Sequence, residues 1–232
     1  MSTVLTLLSP MKRALGAILI PALLASLFAA PPAQASEAEE LVSKSRFTAQ
    51  RMVADKDFEF MLPYLKEAKG VLIIPQLIKG GFVVGAEGGS GVLMVRGTDG
   101  TWSSPAFYTL VAGSLGLQLG GQVSETIFTL MNEGAVEAML EDEFKLGAGI
   151  SVAAGPLGAG LEGSSTTNLN ADIIAFSKVA GLFGGGAIQG GKIITREELN
   201  SDYYVSGATP REIVIDRRFS NAEANKLRDI LP

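Results

Sequence analysis

The chain has 232 residues, 47 % of them apolar and 19 % charged, with 28 glycines and a formal net charge of −5. That length supports one domain with a core of useful size, and so many glycines beside so few charges point to a tightly turned β-rich body rather than a helical bundle. Histidine and cysteine are both absent, which removes the Cys nucleophile, the disulfide, thiolate and imidazole metal sites and the Ser-His-Asp triad. The composition therefore points away from an enzyme, a metal site or a resident cofactor.

Met11 to Ala35 reads MKRALGAILIPALLASLFAAPPAQA. Lys12 and Arg13 precede an apolar run from Ala14 to Ala30, and Ala33-Gln34-Ala35 is a small-x-small cleavage site. This is the pattern of a secretory signal peptide cut before Ser36. A membrane anchor is the alternative, but the run is shorter than the ~20 residues a span needs and prolines interrupt it. Met11 begins a complete signal by itself, so residues 1–10 read as an upstream extension. Residues 36–232 are then a single domain, periplasmic or secreted, with peripheral membrane association. Loss of Lys12 and Arg13 takes the net charge from −5 to −7, a poor balance for binding nucleic acid. From Gly81 to Ile173 there are two basic and ten acidic residues, so the basic groups concentrate toward the two ends of the mature chain.

Ser36 to Val53 has helical spacing, with Leu41, Val42, Ser45, Ala49, Met52 and Val53 on one face. Ser36 is the N-cap, and Glu37, Glu39 and Glu40 fill the favourable first turn. Such a helix docks on the core with a wet polar face, or lies on a membrane surface. Asp57 to Glu67 predicts a second short helix that bends or restarts at Pro63. From Gly70 the period shortens. GVLIIP (Gly70 to Pro75) reads as a buried strand, Thr98-Asp99-Gly100 as a hairpin turn, and SLGLQLGGQ (Ser114 to Gln122) and ETIFTLM (Glu125 to Met131) as strands. Asn132 to Glu143 predicts a helix with a solvated acidic end, which is not read as a metal site. Two Gly-rich strands joined near Gly155-Pro156 and the strand ADIIAFSKV follow. A short turn at Asn200 to Tyr204, the segment TPREIVI and a terminal helix from Ser220 to Leu231 complete the chain.

Gly186 to Ile193 reads GAIQGGKI, a phosphate-loop pattern without its Ser or Thr. Such a loop needs a helix directly after the Lys. Here Ile193-Ile194-Thr195 is β-branched and strand-like, so no nucleotide site is expected.

Several segments together resemble one family: AKGVLIIP (Ala68 to Pro75), the stretch from Gly89 to Gln122, KLGAGISVAAGPLGAG (Lys145 to Gly160), AFSKVAGLFGGGAIQGG (Ala175 to Gly191) and YYVSGATPREI. Their order and spacing are similar to the SYLF domain, also known as a lipid-binding and yeast-type actin-binding domain. W-S-x-P (Trp102 to Pro105), Ser114 to Gly120 and Ser177 to Gly185 are the most telling. The repeated period-two patterning with Gly at bends predicts an α+β fold: a curled, Gly-rich, mostly antiparallel sheet or partly closed barrel with N-terminal and C-terminal helices. The resemblance implies non-enzymatic binding of phospholipid, phosphoinositides in eukaryotic members, and of actin in some. Export places this chain where actin and phosphoinositides are not expected. Many relatives carry Arg after the G-P-x-G turn, where this chain has Ala159. The expected partner is an anionic phospholipid membrane surface, met through Lys44, Arg51 and Lys56 of the N-terminal region, with Lys178 and Lys192 as further candidates. The alternative is a structural or envelope-stress module that contacts other proteins.

Overall fold

A proline in the middle of a central strand organises the architecture. The computed structural model describes residues 35–81, 84–115, 120–147, 149–155, 171–180 and 191–232, and residues from Ala35 onward form one unit. The signal-peptide segment, Ala159 and the glycines from Gly181 to Gly190 lie outside the described residues. An N-terminal helix, α1 (Glu37–Ala54), is followed by a 3₁₀ helix (Lys56–Met61), α2 (Leu62–Glu67) and the strands β1 (Gly70–Gly81), β2 (Val84–Val95), β3 (Ala106–Leu115) and β4 (Gly120–Leu130). Then come α3 (Glu133–Met139), β5 (Glu143–Lys145), β6 (Val152–Ala154), β7 (Ile173–Ala180), β8 (Gly191–Thr195), α4 (Glu197–Tyr203), α5 (Pro210–Val214) and α6 (Ala222–Arg228). The eight strands form one sheet in the order β5-β8-β3-β2-β1-β4-β7-β6, antiparallel except where β6 meets β7. This is the expected α+β architecture with a curled, mostly antiparallel sheet.

Both faces of the sheet are covered, which gives two cores. On one face Val71, Ile73, Met94, Phe107, Ile127 and Phe176 pack under α1, α2, α4 and α6. On the other, Leu72, Leu93, Tyr108, Leu110 and Phe128 pack against α3, α5 and Phe144. Burial on both faces explains the continuous apolar runs of the central strands, where one-sided sheets would alternate.

β1 outruns its sequence reading. The strand continues past Pro75 to Gly81, because a bulge accommodates the residue that cannot donate to the ladder. Pairing to β4 shifts between Ile74 and Leu77, and pairing to β2 shifts between Ile73 and Ile78. The extra residue flips the phase of the strand. Leu72 and Ile74 face the second core, and so does Leu77, which leaves Ile78 on the α1 face. β2 accommodates the bulge with glycine. A Cβ at Gly91 would strike the Ile73 carbonyl and come within 2.8 Å of Ile74 Cγ1.

The W-S-x-P motif is structural. Arg96 stacks on Trp102, its guanidinium carbon 4.1 Å from the ring centre. It also donates to the carbonyls of Ala68 at 3.1 Å, Leu65 at 2.9 Å, Gly100 at 3.2 Å and Pro232 at 2.7 Å. Ser103 Oγ accepts from Val95 N at 3.0 Å, Ser104 Oγ donates to Phe219 O at 2.9 Å, and Tyr204 donates to Pro105 O at 2.7 Å.

Two boundaries differ from the sequence reading. The helix after Asn132 stops at Met139, and Glu143 opens β5 instead. Asn200 to Tyr204 is not a turn but the larger part of α4, held by the buried Asn200 side chain, which accepts from Phe107 N at 2.9 Å. Of Ser114 to Gln122, Ser114 and Leu115 end β3 and Gly120 to Gln122 begin β4, while residues 116–119 lie outside the described residues.

Arg96→Ala is expected to destabilise the fold by roughly 2–4 kcal/mol, because partly buried carbonyls lose a charged donor and Trp102 loses its stacking partner. Arg96→Lys should recover only a minor part, since one ammonium cannot reproduce the guanidinium fork. Gly91→Ala should cost roughly 1–3 kcal/mol through overpacking against β1. Denaturant unfolding midpoints check all three.

Candidate functional site

α1 forms because Ser36 and Glu39 make a capping box and three carboxylates occupy the first turn. Its apolar stripe, Ala38, Leu41, Val42, Ala49 and Met52, is buried on the sheet. Polar ties pin both ends across the strands. At the N-terminal end Glu37 accepts from Arg196 at 3.1 Å, and Arg196 also donates to Ser90 Oγ at 3.0 Å. Toward the C-terminal end Thr48 donates to Glu125 Oε1 at 3.0 Å, Arg51 pairs with Glu125, and the cap residue Asp55 pairs with Lys178. Glu125 and Lys178 are direct cross-strand partners of β4 and β7 and so share the α1 face.

Between the outer ridge of α1 and the sheet runs a groove of about 600 Å³. Lys44, Phe47 and Arg51 form its helix wall at helical spacing, and Pro75, Val123, Glu125 and Lys178 line its sheet side. Three cations thus surround an apolar floor that carries one carboxylate. The hydrogen bond to Glu125 raises the Arg51 pKa against the opposing effect of burial. The Lys178 hydrogen bond, with a further one from the Asp57 backbone, lowers the Asp55 pKa below the usual carboxylate value.

The structure gathers three of the five sequence-predicted cations in this groove: Lys44, Arg51 and Lys178. Lys44 also makes an i,i+4 pair with Glu40 at 2.7 Å. Lys56 is exposed at the head of the 3₁₀ helix and is not among the groove residues. Lys192 sits in β8 on the same sheet face as the groove, four strands from β4, paired with Glu143 at 2.8 Å. It lies within a strand and not directly ahead of a helix, as the Lys of a phosphate loop would; residues 186–190 of that motif lie outside the described residues.

Sequence reasoning missed the apolar members. Phe47 is 45 % exposed on α1 and carries Arg46 over its ring at 4.2 Å. Val123, Ile78 and Val111 are exposed on β4, β1 and β3. Phe47 was legible as the aromatic between Lys44 and Arg51 on the outer helix ridge. Ile78 was not, because its orientation depends on the bulge. Among the described residues no helix is long and apolar enough to cross a membrane, and no acidic cluster is arranged to hold a metal.

The family model described as Ysc84, Las17-binding protein actin regulator, matches residues 111–232. The human SH3 domain-containing YSC84-like protein 1 is 34 % identical over 168 residues, covering 72 % of this chain and 49 % of that protein. LAS seventeen-binding protein 3 of Saccharomyces cerevisiae is 36 % identical over 156 residues, covering 66 % and 34 %. Protein YSC84 of the same yeast is 37 % identical over 159 residues, covering 67 % and 34 %. The chain therefore spans about half the length of the mammalian relative and a third of the yeast ones. Binding is named in LAS seventeen-binding protein 3, and binding and regulation in the description of the family.

Asp55 ties α1 to the sheet only while it is ionised. Its folded pKa is depressed, so its stabilising contribution is present above the ordinary carboxylate pKa of ~3.9 and is lost as pH falls through the lower folded value. Melting temperatures from about pH 6 down to about pH 2 should fall with acid. Asp55→Asn should flatten part of that slope.

Proposed function

The chain belongs to the Ysc84 family, and from that premise we propose that it is a non-enzymatic binding protein for anionic phospholipid, acting in the cell envelope after removal of its N-terminal leader. The observation that carries this reading is the groove, where Lys44, Arg51 and Lys178 stand around an apolar floor. A headgroup phosphate fits the cations, and the adjoining glycerol and acyl chain fit Phe47, Pro75 and Val123. The three cations keep donors for a ligand. Arg51 uses Nε and Nη2 on Glu125 and Thr48, which leaves Nη1. An ammonium has three donors, and Lys44 and Lys178 each spend one on a carboxylate. Cleavage before Ser36 would place the new α-amino group on Glu39, whose carboxylate already accepts from Ser36 N at 3.1 Å.

A second reading is protein recognition through the same face, favoured by the family description, which names a protein partner. Cosedimentation separates the two. The mature protein should bind vesicles containing phosphatidylglycerol and not those of pure phosphatidylcholine, with binding weakened by salt. Each basic group near an anionic surface contributes about 1 kcal/mol. The Lys44→Ala, Arg51→Gln, Lys178→Gln variant should therefore bind roughly a hundredfold more weakly while keeping its circular dichroism spectrum. Equal binding to both vesicle types, or an undiminished folded variant, would favour protein recognition.

A further inference from the structure

The groove opens onto a part of the sheet that the cations do not explain. Six large apolar side chains are exposed among the described residues, and four of them, Phe47, Ile78, Val111 and Val123, lie on the α1 face. Three of these form a row. Val123 is the cross-strand partner of Ile78, Ile78 of Gly88, and Gly88 of Val111. Val111 is then paired with Lys192, and Lys192 with Lys145. Direct partners in an antiparallel pair point to the same face, so the row runs from the groove to two lysines. Two residues further along the strands the next row is Gly121, Gly80, Ala86 and Gly113, all exposed. Among the described residues of that row, no long side chain would hold a flat surface off the apolar row.

We infer that this row is a membrane-insertion platform: Ile78, Val111 and Val123, with Phe47 beside them, sink to the boundary between headgroups and acyl chains of an anionic bilayer. The inference rests on the phospholipid reading and adds how the bilayer is engaged. Cations bracket the apolar row, with Lys44, Arg51 and Lys178 at one end and Lys192 and Lys145 at the other, a layout that places positive groups at headgroup level while apolar groups enter below. A peptide strand is a poor occupant, because β4, β1, β2 and β3 are each paired on both sides and offer no free edge. A second copy is a poor occupant too. The four side chains expose on the order of 300 Å², against the ~800 Å² per partner of a standard interface.

The test places a reporter in the row. Ile78→Trp and Val111→Trp proteins are mixed with phosphatidylcholine–phosphatidylglycerol vesicles whose upper acyl chains are brominated, with Val205→Trp, exposed elsewhere, as control. Bound Ile78→Trp and Val111→Trp should shift to the blue and be quenched, and Val205→Trp should not. An Ile78→Ser, Val111→Ser variant, folded by circular dichroism, should bind roughly tenfold more weakly. Vesicle binding with unquenched reporters overturns the platform and leaves the phospholipid reading standing. Failure of the wild type to bind vesicles overturns both. A concentration-dependent dimer abolished by the double Ser variant, without quenching, assigns the row to self-association and overturns the platform.

Discussion

Pro75 in the central strand is the constraint on which the proposed binding face depends. β1 pairs with β2 on one side and β4 on the other, and a proline there must sit where the ladder can spare a donor. The bulge at Pro75-Gln76 meets that need, and its extra residue reverses which side of β1 faces which core. Without it, continued alternation would point Ile78 into the second core and Leu77 to solvent. With it, Leu77 is buried and Ile78 is 52 % exposed. The glycines of β2 belong to the same constraint, since Gly89 and Gly91 lie where the swollen part of β1 presses closest.

α1 then divides the sheet face it covers. Its ties to Arg196, Glu125 and Lys178 hold it across the strands at the level of Ser90 and Glu125, over the bulge. The polar groups of the strands at that level are occupied by the helix. Among the described residues, what remains exposed is the stretch beyond, where the sheet offers Val123, Ile78, Val111 and small residues. Two of the three groove cations, Arg51 and Lys178, are the same groups that fasten the helix. For these two, fixing the helix and facing the proposed ligand are one arrangement, and side chains held by a carboxylate lose less freedom on meeting a phosphate than free lysines do.

Much of this fold was legible. Apolar periodicity placed α1, Ser36 announced its cap, and Gly and Asp marked the hairpin at Asp99-Gly100. The joint motifs identified the family. Where sequence reasoning failed, longer-range contacts decided. β1 passes Pro75 because two neighbours hold it, and the turn assigned to Asn200 to Tyr204 is helical because Asn200 is captured by Phe107 on β3. Glu143 left its helix for β5 because β8 offers it a partner strand. Charge spacing found the groove cations, since Lys44 and Arg51 share a helix ridge, but it gave no means to see that Lys178 joins them from β7. The exposed apolar row is invisible to pattern reading for a stronger reason: its members come from separate strands, and one of them points outward only after a register shift.

W-S-x-P, one of the three most telling motifs of the chain, and the proposed binding face are thus different parts of the molecule. Trp102 to Pro105 are engaged within the protein: they receive Arg96, tie the hairpin at Val95 and anchor the chain at Phe219 and Tyr204. Such residues are demanded by buried hydrogen bonds, which tolerate little substitution. A membrane-facing row needs only apolar character and shape, and Val, Ile or Leu serve alike at a fluid boundary that has no fixed complement. The proposed face should therefore be the less legible part of the chain, and a motif search directed at function would lead to the structural hub instead.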